Sequence, residues 1–153
     1  MSGPEPHLVE ILLARGFVAI ELAAAFDCFR IANRLAGRER FRTRLVSIEG
    51  GASLPSLGGI EVATEGLGPD LPDLLIVTGG AGMVRAQPVF LPRLHRVRYA
   101  GGVALVLSDA AQALLTAGAT DSAAIHWEGR PSLKRRGWAT KARTRFTPGP
   151  AAF

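Results

Sequence analysis

Ser108 stands where a strand turns sharply into a helix, in the run Gly101-Gly102-Val103-Ala104-Leu105-Val106-Leu107-Ser108-Asp109-Ala110-Ala111-Gln112-Ala113-Leu114-Leu115. A side chain on such a turn, at the carboxyl end of a buried parallel strand, is lifted into a pocket and can serve as a nucleophile. It needs partners. A neighbouring carboxylate can take or share its proton, and Glu21, on the opening turn of the first predicted helix, is the candidate. Backbone amides after a buried strand can hold an oxyanion, and glycine permits close approach of the backbone; Gly79-Gly80 offers both. His126, within Ile125-His126-Trp127-Glu128, is the candidate imidazole base. Together these residues describe a small hydrolase or lyase with Ser108 as nucleophile and Glu21 or His126 as base.

A second reading needs no chemistry. Asp109-Ala110-Ala111-Gln112 has capping-box spacing, and Ser108 is itself a suitable N-cap. Glu21 suits the first turn of a helix through the dipole alone. Gly79-Gly80 can simply make a tight turn. His126 and Trp127 can line a pocket or pack at a subunit contact. Cys28, seven residues after Glu21 in an apolar stripe, reads as a small core residue. His7, His95 and His126 lie far apart without companion cysteines, so no metal site is expected. Gly79-Gly80-Ala81-Gly82 lacks the spacing of a dinucleotide fingerprint, and no cofactor is expected.

The elements that must position these residues alternate strand and helix, which argues for a parallel sheet covered on both faces. Leu8 to Ala14 is an apolar run interrupted only by Glu10, and Arg15-Gly16 turns the chain. Leu22, Ala25, Phe26, Phe29, Ala32 and Leu35 recur at helical spacing and predict a helix over 20–36, ended by Gly37. Phe41 to Glu49 reads as a second strand. Ser53 to Thr64, with Gly58-Gly59 inside, reads as a hairpin excursion. Gly66 to Pro72 reads as a loop, and Leu74-Leu75-Ile76-Val77 as a strand buried on both faces. A helix over 88–99, a strand over 103–107 and a helix over 110–117 follow. Ala123 to Ile125 reads as a short strand, Pro131 to Arg136 as helical and Trp138 to Phe146 as extended.

The chain has 153 residues, of which 48% are hydrophobic and 20% charged, which suits one soluble globular domain over 1–153. No apolar run reaches the roughly 20 residues that span a bilayer. The first residues carry no secretory pattern, and a single cysteine fits a reducing cytoplasm. The net charge of +5 is unevenly placed. Residues 129–153 hold seven basic side chains and no acids, and the rest of the chain is −2. Such a tail is either a solvated face or a contact for phosphates.

Four stretches, spanning roughly residues 7 to 136, carry a resemblance to a known family. They are Gly16-Phe17 with Asp27, Arg30 and Ala32-Asn33; Phe41-Arg42-Thr43-Arg44-Leu45-Val46-Ser47; Leu75-Ile76-Val77-Thr78-Gly79-Gly80; and Ala117-Gly118 with His126-Trp127-Glu128. In these the chain resembles the class I glutamine amidotransferase-like (ThiJ/PfpI) superfamily, and within it the amino-terminal domain of AraC-type (GlxA-like) transcriptional regulators. The resemblance implies an α/β three-layer sandwich, flavodoxin-like, with a mostly parallel central sheet. It also implies that the chain stops before the fold's last strand and helix, and that no helix-turn-helix domain is present. In catalytic relatives a cysteine occupies the elbow and an acid on the first helix contacts it; by position these become Ser108 and Glu21, with Gly79 and Gly80 on the oxyanion loop and His126 beside the nucleophile.

The departures from the family pattern carry the functional expectation. Serine replaces the thiol, and a hydroxyl, unlike a thiol, stays protonated without a well-placed base. Val106 and Ala110 stand where the family has small residues that open the turn. The chain is therefore expected to be a non-catalytic ligand-sensing or dimerisation domain. A small molecule would contact Glu21, Gly79, Gly80, Ser108, Asp109, His126 and Trp127. A homodimer is expected, with no membrane contact and no direct DNA binding. The alternative is the Ser108 hydrolase or lyase.

Overall fold

The computed structural model describes residues 5–120 and 123. Its elements in chain order are β1 (His7–Leu13), α1 (Ala19–Ala36), β2 (Phe41–Ser47), β3 (Ser53–Pro55), β4 (Glu61–Ala63), β5 (Glu65–Gly66), β6 (Leu74–Val77), α2 (Ala81–Arg85), α3 (Gln87–Tyr99), β7 (Val103–Val106) and α4 (Ser108–Thr116). The central sheet runs β5-β2-β1-β6-β7, and every pairing in it is parallel. Parallel neighbours require crossovers, which α1 and the α2–α3 pair provide. β3 and β4 form a separate antiparallel hairpin. This is the flavodoxin-like α/β fold expected from the sequence.

The chain leaves β1 toward β2 on one side and reaches β6 on the other. That reversal opens a crevice at the carboxyl ends of the strands, where open α/β sheets bind ligands. The loops after β1, β6 and β7 all end there.

β1 explains why its sequence reads as one apolar run: Val9 through Leu13 are all buried. Val9, Ile11 and Leu13 pack with Phe17, Leu22 and Ile76 on the α1 face. Leu12 and Ala14 pack with Val77, Met83, Phe90 and Leu94 on the other. Glu10 also points to this second face and is fully buried. Arg93 of α3 meets it with Nε and Nη2, at 2.5 and 2.7 Å. Arg44 of β2 donates from Nη2 at 2.6 Å. Further guanidinium N–H groups donate to the carbonyls of Gly68 and Asp70. A buried charge of this kind is tolerable only when paired and fully hydrogen-bonded. The sequence showed Glu10 only as an isolated acid in a strand.

Most expected elements appear within a residue or two of their expected bounds. Two were missed. α2 is a five-residue helix hidden in what reads as a glycine-rich turn, and β5 is a two-residue strand inside the expected loop. α4 starts at Ser108, two residues before its expected start. His126, Trp127 and the elements expected beyond residue 123 lie outside the described residues.

Candidate functional site

Glu21, Gly79, Gly80, Ser108 and Asp109 come together at the crevice. Glu21 is carried by the first turn of α1. Gly79 and Gly80 follow β6 directly, and Ser108 and Asp109 open α4 directly after β7. Gly80 must be glycine. Its φ is +114°, and a Cβ there would run into the backbone oxygen of Gly16. The β1–α1 and β6–α2 loops thus meet backbone to backbone, which brings Glu21 within reach of the Gly79 amide.

Ser108 has φ +33° and is the only non-glycine residue with positive φ among the described residues. The strained elbow geometry is therefore present. A Cβ placed on Gly79 would collide with Ser108 Oγ and would lie 3.2 Å from the Asp109 nitrogen and 3.3 Å from Glu21 Oε2. Hydroxyl, amide and carboxylate converge on one bare Cα.

The hydrogen bonds at this point decide the chemistry. The Gly79 N–H donates to Glu21 Oε2 at 2.6 Å. The Gly80 N–H donates to Asp109 Oδ2 at 3.1 Å. Both amides read from the sequence as oxyanion donors are thus occupied by the protein's own carboxylates. Ser108 Oγ is buried and has no hydrogen-bond partner among the described residues. The capping expectation is also corrected. The N-cap of α4 is Leu107, with no side-chain cap, because the Asp109 carboxylate reaches across to the β6 loop instead of back to its own helix. The sequence signal for this was present in the acid that follows the elbow residue, but capping spacing accounted for it equally well. Cys28 is exposed rather than part of the core, since α1 buries only a narrow stripe.

Among the described residues no group of three or more His, Cys, Asp or Glu side chains is placed to hold a metal ion.

Comparison with known proteins fits this geometry. No family model matches the chain. It is 32% identical over 132 residues to the HTH-type transcriptional regulator GbdR of Pseudomonas aeruginosa, a match covering 80% of this chain and 35% of the regulator. Among solved structures it superposes on an AraC family transcriptional regulator from Pseudomonas putida with TM-score 0.65 and 28% identity, covering 86% of this chain and 72% of the other. A ThiJ/PfpI family protein from Pseudomonas syringae superposes with TM-score 0.63 at 17% identity, over 95% of this chain and 60% of the other. The chain has the fold of ThiJ/PfpI proteins and is similar in sequence to HTH-type and AraC family transcriptional regulators. The identities at or above 28% are to transcriptional regulators, whereas the Pseudomonas syringae likeness is one of fold. The chain spans about a third of the length of the curated regulators it matches. Among its described residues no helix is long and apolar enough to cross a membrane.

Proposed function

We propose that this chain is the ligand-sensing part of an AraC-type transcriptional regulator and that its elbow recognises a small molecule without reacting with it. One observation carries the reading: Glu21 and Asp109 occupy the Gly79 and Gly80 amides while Ser108 Oγ hydrogen-bonds to no base among the described residues. Acyl transfer from serine needs a base in hydrogen-bond reach and free donors at the developing oxyanion. Here the carboxylate nearest the hydroxyl is already an acceptor for a backbone amide. The similarity to an HTH-type regulator supports the same direction. DNA recognition, on this reading, belongs to other parts of a longer regulator, residues 1–153 form one domain, and the protein works in the cytoplasm.

The same reading includes a homodimer. Leu57 and Ile60, on the turn of the β3–β4 hairpin, are 79% and 61% exposed, and exposed apolar residues grouped in this way suit a protein contact. Ligands can be found by thermal-shift screening of small metabolites. A compound that stabilises both the wild type and Ser108→Ala supports recognition without a covalent step. A compound whose effect requires turnover, and disappears in Ser108→Ala, contradicts it.

The strain at Ser108 is the one observation that favours the alternative hydrolase or lyase, because strained backbone concentrates at reactive centres. Assay of esters, amides and 2-oxoaldehydes tests that reading. Turnover lost in Ser108→Ala would establish it.

A further inference from the structure

A cavity of about 320 Å³ is lined by residues of α3, β7 and α4 and by the segment after α4. Its floor is Ala104 and Val106 of β7, and its walls include Leu94 of α3 and Leu114 of α4. None of Glu21, Gly79, Gly80, Ser108 or Asp109 lines it. The hollow arises from small side chains. Ala104 on the floor and Ala111 on the wall occupy a layer in which neighbouring positions carry leucine, valine or phenylalanine. Its size lies at the lower end of small-ligand pockets, about 300–1,000 Å³.

The rim carries a guanidinium and an imidazole. His95 and Arg98 stand one helical turn apart on α3 and line the opening. Neither takes part in an ion pair among the described residues. From Leu74 to Ser108 the chain holds no Asp or Glu, and the carboxylate of Asp109 is committed to the Gly80 amide.

We propose that this cavity is a second binding site, for a small molecule with an apolar body and a single carboxylate. The body lies on Ala104, Val106 and Leu114, and the carboxylate accepts hydrogen bonds from Arg98. Apolar burial supplies affinity and the Arg98 guanidinium supplies orientation and selectivity. The site stands apart from the elbow reading and does not depend on it. The two share α4, however, because Ala111 lines the cavity one turn after Ser108. A ligand there presses on the helix that carries the elbow.

Titration calorimetry of the full chain with butanoate, hexanoate, octanoate and octan-1-ol tests the assignment. Octanoate is expected to bind saturably. Affinity should rise about fourfold per added methylene until the hollow is full. Octan-1-ol should bind about tenfold more weakly than octanoate, and Arg98→Glu should weaken octanoate by about tenfold or more. Ala104→Leu should abolish binding by filling the floor. Arg98 is exposed, so its replacement remains informative even if Ala104→Leu fails to fold. The assignment is overturned if octanoate does not saturate, if the alcohol binds as well as the acid, or if Arg98→Glu leaves octanoate binding unchanged. The first of these results would mean that the cavity is taken by other parts of the chain or by a second copy, and the second that it is an apolar surface with no preference for anions.

Discussion

At the scale of single residues, Ser108 concentrates the tension in this molecule. It holds a left-handed backbone conformation and a buried hydroxyl without a partner among the described residues. Each feature costs free energy on its own, about 1–3 kcal/mol for the conformation and about 1–3 kcal/mol for the orphaned polar group. Replacing Ser108 by glycine removes both, and chemical denaturation should show a gain of about 1 kcal/mol or more. The neighbouring glycines should behave differently from each other. Gly79→Ala meets a serine hydroxyl that can rotate away, so its cost should shrink measurably in a Ser108→Gly background. Gly80→Ala meets the Gly16 backbone at φ +114°, which nothing can relieve, and should be the more damaging of the two in either background. The sequence made the elbow legible, because Ser108 sits between an apolar strand and a helix. It did not reveal what fills the oxyanion loop. An acid at 109 has the spacing of a cap, and only the approach of the β6 loop shows that its carboxylate is used elsewhere.

At the scale of elements, the Glu10 centre ties β1, β2, α3 and the loop before β6 into one unit. Truncating Arg93 would leave the fully buried Glu10 carboxylate with Arg44 alone. Arg93→Met should therefore cost about 3–5 kcal/mol in equilibrium unfolding. Arg44→Met should cost less, because the Arg44 side chain keeps contact with water and leaves Arg93 still paired to Glu10. Legibility at this scale follows the strength of the pattern. Leu74–Val77 has the expected bounds because four consecutive apolar residues between turn signals admit few other readings. α1 is nearly so, since its stripe repeats over five turns and Gly37 closes it in the left-handed conformation. α2 and β5 are too short to show any period, and both are held by tertiary packing rather than by local preference. The Glu10 centre joins residues 83 positions apart, a separation that no local pattern reports.

At the scale of the whole molecule, the sheet is unevenly dressed. Its centre is covered on both faces, whereas the edge strand β7 leaves Val103 and Leu105 exposed, and the hairpin carries Leu57 and Ile60 outward. Exposed apolar surface of this kind fits the proposed homodimer. Analytical ultracentrifugation should find the wild type paired. Leu57→Glu should shift it toward monomer with little change in thermal midpoint, because that side chain contributes nothing to the core. An unpaired wild type would contradict the pairing. The parallel sheet and its switch point were legible from the alternation of elements. The crevice followed from that topology, and so did the meeting of residues 21, 79, 80, 108 and 109.

The central claim is that the Ser108 elbow keeps the shape of a reactive turn while its own carboxylates hold the groups that reaction would need. Intact-mass spectrometry after exposure to a serine-directed fluorophosphonate tests this most directly. The account predicts unmodified protein under conditions that fully label a serine hydrolase. A single adduct mapping to Ser108, and absent from Ser108→Ala, would contradict it.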